Sequence, residues 1–129
     1  MRRRCRVTLA RQQLGKTGED LAARELVSRG YAILARRYRS RRGEIDIVCN
    51  DRGTIVFVEV RARGTLECGA ASESITRQKM RRVTACAVDY LSRHHLSNRP
   101  CRFDVVAIDN ALEPNPRVTV YANAFDRVG

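Results

Sequence analysis

The chain has 129 residues, the size of one domain, and 43% of them are hydrophobic, which is enough for a single core. The formal net charge is +11 and the excess is nearly all arginine, the side chain best suited to bidentate phosphate contacts, so nucleic acid is the leading partner. An anionic membrane surface ranks second, but no apolar run is long enough to span a bilayer and no basic amphipathic helix stands alone at a terminus.

The cysteines and the N-terminal segment favour a cytoplasmic protein with reduced thiols. The five cysteines are odd in number and form no C-x-x-C pair, which argues against both a disulfide framework and a zinc site. The basic residues at the N-terminus are followed by an apolar run too short for a secretory signal. We therefore expect a soluble protein with a flexible basic arm over residues 1–14, which adds phosphate contacts, and one domain over residues 15–129.

The first predicted element is a helix that begins at Thr17. Thr17 can cap the first turn, Glu19 and Asp20 favour the positive end of the helix dipole, and Gly30 can close the helix. On local grounds alone, Glu19 is therefore a charge that complements the dipole.

A short strand over residues 31–35 is followed by a basic run over residues 36–42, in which arginines flank Tyr38 and Ser40. Such a run suits phosphate contacts combined with stacking on a base or sugar, although charge runs are usually solvated loops. An anionic backbone drawn in by these arginines would be delivered to the acidic residues that follow Gly43, provided that a metal were bound there.

The next stretch predicts a β-hairpin whose strands, residues 45–49 and 54–60, are joined by Asn50-Asp51-Arg52-Gly53. If Cys49 pairs with Thr54, then Asp46 and Glu59 are diagonal neighbours about 7–8 Å apart and both can reach one small cation. Period-two alternation puts a mixed set on one face of the hairpin: Glu44, Asp46, Ile55, Phe57, Glu59 and Arg61.

A second interpretation of this face is a solvated surface laced by salt bridges among its carboxylates and arginines. Ile55 and Phe57 weigh against it, because they make the other end of the face apolar and so place the carboxylates at the rim of a core.

The rest of the chain supplies a loop, a long helix and two strands. Residues 63–73 show no periodic pattern of apolar residues and are predicted to form a loop. Ser74 then starts a helix over residues 75–93 whose first half is basic. Strands follow over residues 102–109 and 117–121, separated by two prolines. The order of helix, three strands, helix and two strands predicts a single α/β domain with a mixed five-stranded sheet flanked by helices.

Several motifs together make the chain similar to a known family. They are residues 15–20, 43–47 and 56–63, Ile75-Thr76 with Lys79, and Asn123-Ala124-Phe125. Over residues 15–125 the chain resembles the YraN family of uncharacterised bacterial proteins. That family in turn resembles the restriction-endonuclease-like nucleases with the PD-(D/E)xK signature, and most closely the archaeal Holliday-junction resolvases.

The resemblance implies a restriction-endonuclease-like fold and a Mg²⁺ or Mn²⁺ site. Asp46 matches the metal-binding aspartate, Glu59 matches the (D/E) position, and Glu19 matches the glutamate of the first helix that completes such sites. Arg61 stands where the lysine should be, and since arginine is not deprotonated in proteins it can stabilise a phosphate or orient water but is a poor proton acceptor. The resolvase helix that bears a Gln or Lys corresponds to Gln78-Lys79, and either residue can face the site.

The predicted function is a metal-dependent nuclease that hydrolyses phosphodiesters in DNA, branched or junction DNA included. Glu19, Asp46 and Glu59 are the predicted metal ligands, together with the Val60 carbonyl, and Arg61 completes the catalytic set. The predicted nucleic-acid contacts are Arg36, Arg37, Tyr38, Arg39, Arg41, Arg42, Arg63, Lys79 and Arg82. The alternatives are a non-catalytic nucleic-acid-binding module on a nuclease scaffold and a basic assembly protein of RNA complexes, and the sequence leaves a homodimer open.

Overall fold

The computed structural model describes residues 2–63 and 75–127, with side chains from Gln13 onward. Within these ranges the elements are α1 (Arg2–Ser28), β1 (Ala32–Ser40), β2 (Gly43–Asp51), β3 (Thr54–Ala62), α2 (Arg77–Arg93), β4 (Cys101–Asp109) and β5 (Arg117–Phe125). The five strands form one sheet in the order β1-β2-β3-β4-β5, in which β3 and β4 are parallel and the other pairs antiparallel. The predicted α/β domain with a mixed five-stranded sheet is confirmed.

The two helices cover opposite faces of the sheet. Ala22 and Leu26 of α1 pack with Ile47, Val58 and Ile108 on one face. A second cluster, on the other face, is built around α2 and joins aromatic and aliphatic side chains of the helix and the sheet: Val83, Tyr90, Leu91, Phe57 and Phe103. None of the described helices is long and apolar enough to cross a bilayer.

The first helix is longer than the sequence predicts. It begins at Arg2, so Thr17 lies inside it and is not its N-cap. The segment before Thr17 contains no proline and many good helix formers, which is why the helix continues through it. The side chains of residues 2–12 lie outside the described residues, so the division into arm and domain, and the phosphate contacts of that arm, stay predictions.

The hairpin forms as predicted, but its register is shifted by two residues. Asp51 pairs with Thr54 and Ile47 with Val58, so the turn consists of Arg52 and Gly53 alone. Both have positive φ angles, 53° and 98°, as a two-residue turn of type I′ requires. The side-chain amide oxygen of Asn50 accepts a 2.8 Å hydrogen bond from the Gly53 N–H, which stabilises this turn.

The basic run after residue 35 is also a strand, because β1 continues to Ser40 at one edge of the sheet. Its pairing with β2 shifts register between Ile33 and Ala35, and Arg37 has a positive φ of 54°. The loop predicted over residues 63–73 and the cap predicted at Ser74 lie, apart from Arg63, outside the described residues. Helix α2 begins at Arg77, and its N-cap is Thr76, whose hydroxyl accepts a 3.1 Å hydrogen bond from the Lys79 N–H.

Candidate metal and nucleic-acid site

An open cleft of about 560 Å³ lies where the ends of β2 and β3 meet α1. All four residues of the predicted catalytic set line it, namely Glu19, Asp46, Glu59 and Arg61. Its walls also carry Arg37, Arg39 and Arg63, three of the arginines predicted to contact nucleic acid. The cleft therefore combines acidic side chains with basic ones.

Asp46 is fixed at the point where β2 and β3 separate. The ladder between these strands ends at the pair Ile47 and Val58, and beyond it the Asp46 carboxylate accepts a 2.7 Å hydrogen bond from the Val60 N–H. Strict alternation also breaks here, since Ile45 packs on the α2 side of the sheet whereas Ile47 packs on the α1 side. The expectation that side chains alternate regularly between the two faces through Asp46 is therefore wrong. At this point the Asp46 carboxylate, instead of a backbone carbonyl of β2, accepts the hydrogen bond from β3.

Glu59 is the next residue along β3 from the last ladder pair, as Asp46 is along β2, so the two acids are neighbours where the strands separate. Glu59 is only 7% exposed. Burial raises the pKa of Asp46. Burial, and secondly the neighbouring Asp46 charge, raise the pKa of Glu59 to about 7. The two acids thus share a desolvated site in which double ionisation is costly.

The Lys79 ammonium relieves part of this cost. Its Nζ lies 3.4 Å from Glu59 Oε2, and its charge acts to lower the pKa values of both Glu59 and Asp46. Lys79 also lines, together with Glu59, Arg61 and Thr76, a smaller pocket beside the cleft. Lys79, and not the exposed Gln78, is therefore the residue of this helix that faces the site, which the sequence leaves open.

Glu19 reaches the cleft from α1 because the helix lies close to β3. A Cβ added to Gly18 would lie 2.6 Å from the Ala62 Cβ, so only glycine fits between the helix and the strand there. The Glu19 side chain is 9% exposed and forms ion pairs with Arg36 at 2.8 Å and Arg37 at 3.1 Å. Glu19 is thus both inside the site and engaged by the protein's own arginines.

The carboxylates supply the oxygen ligands that Mg²⁺ and Mn²⁺ favour. The desolvated pair of Asp46 and Glu59 fits such a cation, since a cation would offset the repulsion between the two charges. Among the described side chains, however, no group of three or more His, Cys, Asp or Glu residues is arranged to hold a metal ion. The structure brings Glu19 into the same cleft but does not gather it with Asp46 and Glu59 around one point.

The predicted nucleic-acid contacts divide between several places. Arg37, Arg39 and Arg63 line the cleft, while Arg36 binds Glu19 and also Asp20, at 2.7 Å. Lys79 pairs with Glu59 at the edge of the cleft. The remaining basic residues of the predicted set are exposed and do not line the cleft: Arg41 and Arg42 at the turn between β1 and β2, and Arg82 in the first half of α2.

Tyr38 is on the other side of the sheet. Its hydroxyl donates a 2.8 Å hydrogen bond to Asp89 of α2, and its ring packs edge-on against Tyr90 with centroids 5.0 Å apart. The positive φ of Arg37 reverses the alternation of β1 and so turns Tyr38 away from the cleft. The structure gives this ring an internal packing role instead of an open face for base stacking.

One buried acid that the sequence analysis did not single out is Asp104 on β4, which is fully buried. Its Oδ1 accepts hydrogen bonds from the Arg102 Nε at 3.1 Å and from the Asn123 N–H at 2.9 Å. Arg102 also forms a 3.0 Å ion pair with Asp51. This network is internally satisfied and lies outside the cleft, so it supports the fold. The alternation of residues 102–109 places Asp104 on a sheet face but does not reveal its burial.

Comparison with known proteins places this chain in a family. The family model described as "Uncharacterised protein family UPF0102" matches residues 18–108. A UPF0102 protein of Anaeromyxobacter dehalogenans is 45% identical over 119 residues, which cover 92% of this chain and 88% of the relative. One of Roseiflexus castenholzii is 50% identical over 107 residues, 82% of this chain and 86% of the relative. These matches confirm the family relationship that the motifs indicated: the chain belongs to the uncharacterised protein family UPF0102, which is the YraN family.

Proposed function

We propose that this protein is a divalent-metal-dependent hydrolase of phosphodiester bonds in DNA. The observation that carries the proposal is the desolvated pair of the half-buried Asp46 and the buried Glu59, in a cleft whose walls are rich in arginine. Two desolvated carboxyl groups side by side are costly to ionise unless a cation lies between them. The arginines around them complement a phosphodiester backbone, which the acids alone would repel.

The division of roles follows from the positions in the cleft. Asp46 and Glu59 would hold the metal, and Glu19 is the third candidate ligand. When bound, the metal polarises the phosphate and lowers the pKa of an attacking water. Arg61 lies on β3 two residues after Glu59 and faces the same cleft, from which its guanidinium supports charge that develops on the phosphate.

Arg37, Arg39 and Arg63 orient the DNA backbone along the walls of the cleft. Because these contacts are made to phosphate, they carry affinity rather than base preference. The cleft is open, and because β1 is an edge strand of the sheet, a DNA strand could approach from the side of the arginines.

A second candidate is a DNA-binding module without turnover, and one observation favours it. Glu59 is paired with Lys79 and Glu19 with Arg36 and Arg37, so the protein itself neutralises two of the three acids. In that case the same cleft would bind phosphate through its arginines, and divalent metal would not be required.

A cleavage assay separates the two candidates. We expect the wild type to cut branched, duplex or single-stranded DNA only with Mg²⁺ or Mn²⁺. The variants Asp46→Asn and Glu59→Gln should lose both cleavage and calorimetrically measured Mn²⁺ binding, while keeping the circular dichroism of the fold. Glu25→Gln is the matched control, because Glu25 pairs with Arg29 on the exposed side of α1, away from the cleft, and its loss should leave both properties intact. DNA binding without cleavage under every combination of substrate and metal would establish the binding module instead.

A further inference from the structure

The Glu19 carboxylate pairs with two of the arginines that suit a phosphate, and Asp20 also pairs with one of them, Arg36, at 2.7 Å. Glu19 Oε1 accepts hydrogen bonds from Arg36 Nε at 3.1 Å and Arg36 Nη2 at 2.8 Å, and Glu19 Oε2 accepts one from Arg37 Nε at 3.1 Å. A phosphate would bind to these same N–H groups, since guanidinium groups bind carboxylates and phosphates through the same planar arrangement of donors.

The two arginines are built to converge. Consecutive residues of a strand normally point to opposite faces of the sheet. Arg36 and Arg37 nevertheless reach one carboxylate, and the φ of 54° at Arg37 shows that the backbone leaves the regular strand conformation to allow it. Such a conformation is uncommon for a residue other than glycine, and the hydrogen bonds to Glu19 help to offset its cost. The pair is therefore an anion-binding clamp that Glu19 fills.

Glu19 cannot serve this clamp and a metal at the same time. It lines the same cleft as Asp46 and Glu59, yet the described side chains contain no three-ligand arrangement suited to a metal ion. A Glu19 side chain released from the arginines has Asp46 and Glu59 within the same cavity as its alternative neighbours.

We propose that a DNA phosphate and Glu19 compete for the Arg36–Arg37 clamp, and that the displaced Glu19 joins Asp46 and Glu59 around the divalent cation. DNA and cation then bind cooperatively. This inference rests on the proposed function, since it assumes that the cleft takes both ligands. Linkage requires the effect to be reciprocal, and coupling between two sites typically changes affinity by about 5- to 150-fold.

The test is calorimetric titration of Mn²⁺ into the full-length protein, alone and saturated with a single-stranded oligonucleotide, after subtraction of Mn²⁺ bound by the oligonucleotide itself. We expect the wild type to bind Mn²⁺ at least about fivefold more tightly when the oligonucleotide is present. In Glu19→Gln this gain in Mn²⁺ affinity should vanish. The neutral amide forms no ion pair with Arg36 and Arg37 that a phosphate could displace, and it is a weak ligand for Mn²⁺.

Two arginine variants sharpen the test. The double variant Arg36→Gln, Arg37→Gln should bind Mn²⁺ more tightly than the wild type when no oligonucleotide is added, because Glu19 is already free. It should also bind the oligonucleotide more weakly and show no coupling. Arg39→Gln is the matched control: Arg39 lies on the same strand and the same cleft but pairs with Glu44 at 3.5 Å, so its loss should weaken oligonucleotide binding and leave the coupling intact.

The possible failures can be told apart. If the wild type binds both ligands independently, the exchange of Glu19 is refuted while the proposed function stands. Coupling that persists in Glu19→Gln would show that the phosphate itself ligates the cation, which also refutes the exchange. A wild type that does not bind the oligonucleotide would overturn the proposed function and this inference together.

Discussion

The close approach of α1 to β3 at Gly18 predicts a large effect from one methyl group. In Gly18→Ala the new Cβ would lie 2.6 Å from the Ala62 Cβ. Helix and strand must separate by at least 0.4 Å (3.0 − 2.6) to avoid a clash, and by 0.8 Å (3.4 − 2.6) to reach ordinary contact. Neither atom can rotate away, because a Cβ position is set by the backbone. The strain must therefore move the helix that carries Glu19.

The expected magnitude follows from two opposing effects. Overpacking a well-packed contact costs about 1–3 kcal/mol, whereas alanine is favoured over glycine in a helix by about 1 kcal/mol. Gly18→Ala should therefore destabilise the fold by up to about 2 kcal/mol, or roughly 8 °C in Tm for a chain of this size. Gly15→Ala is the control in the same helix, because a Cβ there meets nothing within 4 Å, and it should stabilise the fold by about 1 kcal/mol.

Thermal unfolding followed by circular dichroism measures both variants, and Mn²⁺ calorimetry reports on the site. We expect Gly18→Ala to lose Mn²⁺ affinity as well as stability, since Glu19 is the next residue, and we expect the added substitution Ala62→Gly to restore both by removing the opposing methyl group. If Gly18→Ala were as stable as Gly15→Ala, the tight contact between α1 and β3 would be refuted.

Three further predictions concern the cleft. The folded state binds the Glu59 proton more tightly than the unfolded chain, so this residue should make the free energy of unfolding fall as pH rises from 4.5 to about 7. In urea unfolding, Glu59→Gln should remove up to about 3 kcal/mol of that fall, and an unchanged pH profile would contradict the burial of its charge. DNA affinity should survive Asp46→Asn and decline with salt by about 0.9 in log K per log salt for each neutralised phosphate; a flat response would exclude phosphate binding. If the protein is a nuclease, Arg61→Ala should slow cleavage roughly 10²–10³-fold while Arg61→Lys retains it; equal rates in the two variants would remove Arg61 from the chemistry.

The sequence predicted the fold well where local patterns determine it. The period-two strands and the helix ended by Gly30 are local features, and their order was sufficient to predict the mixed sheet. The hairpin register was missed because it depends on the turn type. Asn50 and Asp51 look like loop residues, but Arg52 and Gly53 alone adopt the positive φ angles of the turn, so the ladder continues two residues further on. A shift of two residues keeps the paired residues on their predicted faces, and Asp46 and Glu59 remain neighbours because both directly follow the last pair of the ladder.

The candidate site was predictable only in part, because some of its residues come together through contacts between elements that are distant in the sequence. Asp46 and Glu59 are close in sequence and share a hairpin, whereas Glu19 entered only through the family resemblance because its helix packs on the sheet through distant contacts. The ion pair of Glu59 with Lys79 requires the crossover from β3 to α2, and sequence spacing does not give its geometry. The sequence predicts Tyr38 as a stacking contact for nucleic acid, because a run of arginines does not reveal the break in alternation at Arg37 that turns this ring towards α2.

The position of β1 at the edge of the sheet gives its arginines a second consequence. An edge strand exposes unpaired backbone groups that can recruit another chain, and charged side chains and irregular backbone are the usual protection against such aggregation. β1 has the register shift after Ile33, the positive φ of Arg37 and the exposed charges of Arg36 and Arg39. Substitutions that neutralise these arginines to test the proposed DNA binding will therefore also remove a barrier to self-association, so such variants should be checked for aggregation.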